Sequence, residues 1–177
     1  MGDVVNILDS DRKPITKQYR KCGIYPYYGA NGIQDYIDGF IFDGTYLLVG
    51  EDGSVVNDNN NPITTWVSGK IWVNNHAHVL SEKNICSLRY LYHYLNTVNV
   101  SPLVRGTPPK LNQENLRNIL VPIPTKEEQN YIVEILDKLE KLCYDFSEGI
   151  PAEIGKLRQQ YEYYRNKLLT FEEKKIA

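Results

Sequence analysis

Val121-Pro122-Ile123-Pro124-Thr125-Lys126-Glu127-Glu128-Gln129 divides the chain into two parts built on different patterns. Proline disfavours helix in the residue before it, so Pro122-Ile123-Pro124 reads as stiff and extended. Thr125 to Glu128 then match a capping box, in which the Thr hydroxyl and the Glu carboxylate satisfy free backbone N–H groups at a helix start. Beyond it, Ile132, Leu136, Leu139, Cys143 and Phe146 recur at alternating steps of four and three, an a/d seam. Gly149-Ile150-Pro151 interrupts this seam, Gly suiting a helix end and Pro the first turn of a new helix. The seam resumes with Ile154, Leu157, Tyr161, Tyr164 and Leu168. Its first segment, about residues 126–147, would be roughly 33 Å long at ~1.5 Å per residue. Such a seam needs cover from its own domain, from a fold-back at Gly149, or from another chain, and its narrowness favours another chain.

Upstream, to about Pro124, the chain is rich in Gly, Asn, Tyr and β-branched residues. Asp-Gly at 38–39, 43–44 and 52–53, and Ser-Gly at 68–69, tolerate the positive φ of tight turns and predict closely spaced hairpins or short loops. Phe40-Ile41-Phe42, Tyr46-Leu47-Leu48-Val49 and Ile71-Trp72-Val73 read as strands between them. Leu88, Leu91 and Leu95 recur at helical spacing and predict a helix near Ser87–Leu95, with a shorter one over Gln113–Asn118. The expected fold is α+β: a mixed, mostly antiparallel sheet with a few helices over residues 1–124, followed by a long-helix, coiled-coil region over 125–177.

The 177 residues carry 20 Lys+Arg against 22 Asp+Glu, a net charge of −2. Neither part is basic: residues 1–125 hold 11 of each sign, and the remainder holds 9 and 11. A strongly basic stand-alone nucleic-acid binder is disfavoured by that balance. No apolar run approaches the ~20 residues a membrane helix needs. MGDVVNILDSDRKP has no basic stretch leading into an apolar one, so no signal peptide is expected. Cys22, Cys86 and Cys143 stand far apart with no C-x-x-C pair, against both a disulfide framework and a zinc site. A cytoplasmic protein with no membrane association is expected.

Enzyme signatures are missing from the pattern. Asn60-Asn61-Pro62-Ile63 lacks the second Pro and the aromatic of an amino-methyltransferase motif, and reads as a loop. Gly29-Ala30-Asn31-Gly32 lacks the spacing of a phosphate-cradling loop and reads as a turn. His76 and His78 could share one side of a strand, but no nearby Cys or clustered carboxylate completes a metal site. The only Glu-x-Lys matches lie in Glu172-Glu173-Lys174-Lys175, so no nuclease centre is expected. What remains is a set of side chains suited to base edges. Asn31, Gln34, Asn74, Asn75, His76 and His78 sit in or beside predicted turns, with Arg12, Lys13, Lys70, Arg105 and Lys110 in the same region. Asn and Gln pair bidentately with adenine, Arg and Lys with guanine, and Lys also reaches phosphates. For any one of them a plain turn or surface role is the commoner explanation.

Several ordered strings resemble one family. They are Tyr25-Pro26-Tyr27-Tyr28-Gly29-Ala30-Asn31-Gly32-Ile33, Leu48-Val49-Gly50-Glu51-Asp52-Gly53-Ser54, and Val73-Asn74-Asn75-His76-Ala77-His78-Val79-Leu80. Arg105-Gly106-Thr107-Pro108-Pro109-Lys110-Leu111 and Val121-Pro122-Ile123-Pro124 follow, and Gln159 to Leu169 close the set. Together they are similar to the specificity subunits of type I restriction-modification systems. The resemblance implies a target-recognition domain followed by a conserved spacer helix, reading one half of a bipartite double-stranded DNA site. It implies no catalytic residue, metal or cofactor in this chain. Methylation and cleavage would fall to separate modification and restriction subunits that use S-adenosylmethionine, ATP and Mg. Arg105 and Lys110, then Asn74, Asn75 and His76, would be the foremost DNA contacts.

The chain departs from the family pattern in having one recognition domain and one helical region where a complete subunit has two. Either it dimerises, with antiparallel helices and a palindromic gapped target, or a second recognition domain completes it. Ile132, Leu136, Leu139, Phe146, Ile154, Leu157, Tyr161, Tyr164 and Leu168 would line that pairing. The competing function is a silent specificity fragment acting only as a helical assembly module.

Overall fold

The computed structural model describes residues 1–145 and 151–170. Its strands are β1 (Val5–Ile7), β2 (Cys22–Gly29), β3 (Gly32–Ile37), β4 (Phe42–Gly50), β5 (Thr64–Val73) and β6 (Ala77–Glu82). They form one six-stranded sheet in the order β1-β6-β4-β5-β2-β3. Every neighbouring pair is antiparallel except β2 and β5, which run parallel through Tyr27↔Trp72 and Tyr28↔Val73. The helices are α1 (Leu88–Leu95), α2 (Gln113–Arg117), α3 (Lys126–Asp145) and α4 (Pro151–Leu169). The fold is the mixed, mostly antiparallel α+β class that the turn and strand pattern predicts. None of the described helices is long and apolar enough to cross a membrane.

Two of the four turn dipeptides make no turn. Asp43-Gly44 and Ser68-Gly69 lie opposite each other inside the β4–β5 ladder, in register from Phe42↔Ile71 to Val49↔Thr64. Burial of Phe42, Leu48, Val67 and Ile71 on one face holds the strands together through these glycines, so tertiary pairing overrides the local signal. The β2–β3 hairpin tip is Gly29-Ala30-Asn31-Gly32, a turn as its sequence suggests, with Gly32 at φ 100°, a conformation glycine adopts without a Cβ clash.

The sheet buries both faces. Val5, Leu47, Val49 and Leu80 meet Leu88, Leu91 and Leu95 of α1, Leu116 of α2, Ile132 and Leu136 of α3 and Leu169 of α4. The opposite face collects Phe42, Leu48, Val67, Ile71, Val73 and Val79, with Leu8, and Tyr28 of β2, packed against them.

α3 begins at the expected capping box: the Thr125 N–H donates to Glu128 Oε2 at 2.8 Å, and the Glu128 N–H to Thr125 Oγ1 at 3.3 Å. α4 packs back along α3, with Leu168 and Leu169 reaching the core that holds Ile132. The seam is therefore covered first by its own domain and by the fold-back, where its narrowness suggests another chain. Ile132 and Leu136 are buried, Leu139, Leu157, Tyr161 and Leu168 half-buried, and Tyr164 exposed. Tyr131 and Leu142, off the seam, also remain exposed: the apolar surface of α3 is wider than its a/d stripe, so one helix serves two packing faces. Phe146 and the side chain of Ile154 lie outside the described residues.

Candidate nucleic-acid interface

Four segments meet at one end of the sheet: the β2–β3 tip, the turn after β4, the β5–β6 connection, and the loop Arg105–Lys110. Backbone bonds join them. The Glu51 N–H donates to His76 O at 2.8 Å, Gly53 N–H to Pro109 O at 2.9 Å, Leu111 N–H to Glu51 O at 2.8 Å and Asn74 N–H to Tyr28 O at 3.1 Å. The Arg105–Lys110 loop closes on itself, its two end residues exchanging N–H···O bonds of 2.9 and 2.7 Å.

Of the ten residues expected to contact DNA, six are brought together on this end and left exposed: Asn31, Gln34, Asn75, His76, Arg105 and Lys110. Their freedom differs. Gln34 Oε1 accepts from Asn74 Nδ2 at 3.2 Å, His76 Nδ1 pairs with Asp52, and Lys110 Nζ lies 3.0 Å from Glu51. Asn31 and Asn75 project from turn tips. Two others are committed to the interior. Asn74 is buried and its Oδ1 accepts the His76 N–H at 2.8 Å, which makes it an Asx-type turn residue. Arg12 donates to Glu51 Oε2 at 2.6 Å and to Ala77 O at 2.7 Å. Lys13 and Lys70 are exposed but lie along the flank of the sheet, outside the loop cluster.

Beneath the loops is a charged network that residue spacing conceals. His78 is fully buried, with Nδ1 2.6 Å from Asp9 Oδ2 and Nε2 2.8 Å from Leu111 O. Gln113 Nε2 donates to Asp9 at 2.9 Å, and Asp9 Oδ1 accepts the Val79 N–H at 3.1 Å. Carboxylates thus do gather round His78, contrary to the expectation from sequence, and Asp9, Glu51 and His78 lie close enough to share an ion. Each is already engaged by protein: Arg12, Lys110 and Gln113 take the carboxylate oxygens. Burial pushes the Asp9 and Glu51 carboxyls up, yet both end below the usual range. For Asp9 the hydrogen bond and charge of His78, the bond from Gln113 and the charge of Arg12 together outweigh burial; for Glu51 the bonds from Arg12 and Lys110 do so together with the charges of His78 and Arg12. His76 and His78 go to different partners. The network fastens residues 9–12, the β5–β6 connection and the Arg105–Lys110 loop to one another, so the exposed tips stand on a braced platform. Asp9, Glu51 and Gln113 went unnoticed in the sequence because 42 residues part the first two and 62 the last two, with no motif linking them.

A platform of exposed amide, imidazole and cationic side chains, with its acidic groups paired internally, suits base-edge reading better than catalysis. Residues 1–156 match the family model described as the type I restriction modification DNA specificity domain. The chain belongs to this family. A Haemophilus influenzae protein assigned to the type I restriction enzyme specificity subunits is 42% identical over 98% of this chain, which covers 46% of that protein. The MpnII specificity subunit of Mycoplasma pneumoniae is 32% identical over 90% of the chain and 49% of its own length. Among solved structures, the S subunit from M. genitalium superposes with TM-score 0.64 at 15% identity, over 82% of this chain and 39% of that one. The S subunit (HsdS) from Thermoanaerobacter tengcongensis gives 0.58 at 16% identity, over 95% and 43%. The specificity-domain chain thus spans about half the length of these relatives, and the solved structures speak to its fold alone.

Proposed function

We propose that this specificity-domain chain reads one half of a bipartite double-stranded DNA target for a type I restriction-modification complex and docks the methyltransferase subunits there. The observation that carries the reading is the family match across residues 1–156, joined to the exposed tips that the buried network braces. The chain supplies recognition and no catalytic group. S-adenosylmethionine, ATP and Mg chemistry belongs to the modification and restriction subunits, which also supply part of the attraction to DNA that a chain of net charge −2 lacks. The exposed face of the α3–α4 hairpin takes a second copy of the chain, or the helices of a second recognition domain.

Genome-wide mapping of adenine methylation, in cells expressing the chain with its modification subunit, tests this reading. A gapped motif that disappears without the chain is expected: palindromic for a dimer, asymmetric if a different recognition domain completes the complex. No methylation, with the modification subunit folded and bound to the chain, would reduce the chain to a helical assembly module.

A further inference from the structure

Arg12, Lys13, Lys17, Arg20 and Lys21 place five cations and no carboxylate within ten residues. The segment crosses one face of β5, β2 and β3 as a strap. Its bonds are few and mostly through backbone: Lys13 N–H donates to Val73 O at 3.3 Å, Trp72 Nε1 to Lys13 O at 2.6 Å, Ile15 N–H to the Tyr27 hydroxyl at 2.9 Å, and Asp38 N–H to Lys21 O at 3.1 Å.

The two kinds of cation are used differently. Both arginines turn inward: Arg12 to Glu51 and Ala77 O, Arg20 onto the Tyr27 ring at 4.1 Å, to Ile15 O at 2.9 Å and to Asp35 at 3.4 Å. The planar guanidinium suits such multidentate holding. The three lysines turn outward and are exposed, with no described carboxylate within 4.0 Å of any of them. Lys70 continues the row, exposed, with Nζ 4.7 Å from the Phe40 ring centroid. Asp38 and Asp43 bound it at the end far from the loops.

We propose that Lys13, Lys17, Lys21 and Lys70 form the phosphate-gripping flank of this module, holding the backbone of duplex DNA while the loop end faces the bases. The inference rests on the DNA-reading function proposed above and adds a surface to it. In crossing, the strap descends from the level of Tyr28, paired with Ile33, to that of Cys22, paired with Ile37, about 13 Å at ~3.3 Å per residue of β3. One strand of a duplex advances ~3.4 Å of axis per phosphate, so the row matches about four base pairs. Its Lys13 end adjoins the β5–β6 connection that carries Asn75 and His76, so phosphate and base contacts would fall on neighbouring stretches of one duplex. Phosphate contacts of this kind fix register without specifying sequence.

Fluorescence anisotropy of the full chain on a mixed-sequence duplex, over a series of salt concentrations, tests it. The strap predicts binding by the chain alone at low salt. K13Q/K17Q/K21Q should flatten the slope of log Kd against log salt by about 2.7, at ~0.9 per phosphate contact, so that a roughly fourfold rise in salt weakens the variant about 40-fold less than the wild type. K138Q/K141Q/K156Q, on the helices, should leave the slope alone, and K13R/K17R/K21R should keep it. Equal slopes for the two glutamine triples, or no binding at low salt, overturn the strap. If the wild type still sets a methylation motif in cells, only the strap fails; loss of the motif as well removes the DNA-reading function itself.

Discussion

At the scale of single residues, the loop end separates side chains that hold from side chains that reach, and neighbours in sequence fall on opposite sides of that line. Asn74 is buried and bonds to Gln34 and the His76 N–H, whereas Asn75 beside it is exposed. Asn74→Ala should therefore lower the melting temperature, by removing bonds worth about 1 kcal/mol each. Asn75→Ala should leave melting unchanged and act only on DNA. Arg105→Ala should cost ~1–3 kcal/mol of specific binding and relax the methylation motif at one position; an unchanged motif would assign Arg105 to phosphate or solvent. The braced network carries a pH signature. Asp9 and Glu51 are held below their ordinary values of 3.8 and 4.5, so the folded state binds their protons less readily than the unfolded chain does. Their stabilisation is fully present above those ordinary values and drains away as pH falls through the lower folded ones. Thermal melts between neutrality and about pH 3 should show the loss, and Glu51→Gln should be less stable at neutral pH with a shallower acid limb. An acid limb unaltered by the substitution would mean that other carboxylates govern it.

Among the elements, α3 depends on α1 for its position. Gln129 is fully buried; its Oε1 accepts the Ser87 N–H at 2.8 Å, and its Nε2 donates to Ile85 O and Pro124 O, both at 3.0 Å. About two turns further along α3 at ~3.6 residues per turn, Asp137 and Glu140 bond Arg89 of α1 at 2.8 Å and 2.5 Å. Tyr92 donates to Glu140 at 3.0 Å, and His93 Nε2 lies 2.7 Å from Asp137. Burial lowers the His93 pKa, against the opposing pull of its Asp137 bond. His93 thus stabilises the fold in its neutral form: the contribution is whole above the ordinary 6.5 and fades as pH falls below it. His93→Gln should flatten the pH dependence of melting between about 6.5 and 5, and Leu136→Ala should cost about 2–5 kcal/mol at every pH. The sequence makes the existence of these elements legible, because leucine spacing and the capping box are local signals, and α1, α2 and α3 begin within a residue of where those signals put them. Pairing partners are not local. The glycines of β4 and β5 look like turns until they are seen facing each other, and Arg12 looks like a DNA contact until Glu51 is found beneath it. The exposed tips of the candidate site could be read from turn residues, but not the buried carboxylates that brace them.

For the molecule as a whole, the unresolved demand is the outer face of the helical hairpin. Folding α4 onto α3 leaves an apolar groove lined by Tyr131, Ile135, Leu139, Tyr164 and Leu168, with Lys167 at its rim. Tyr131 and Tyr164 are 61% and 44% exposed there. Water beside so much aromatic and branched surface is unfavourable by ~25 cal/mol per Å², and an equivalent helical pair is a cover of matching shape. Two-fold pairing would join identical faces, set two loop platforms at a fixed distance, and make the spacing of the DNA half-sites a property of the hairpin rather than of the sheet. Ile135→Glu with Leu139→Glu would place charge on this face without touching the buried Ile132 and Leu136. Light scattering of the wild-type chain should give the mass of two copies and that of the double variant the mass of one, with the sheet domain melting as before. The variant should still bind DNA, but with the affinity of a single half-site and a methylation motif lost or reduced to one half. A wild-type mass of one copy, unchanged by the two glutamates, would leave the groove to the helices of a second and different recognition domain, and the motif would then have to be asymmetric.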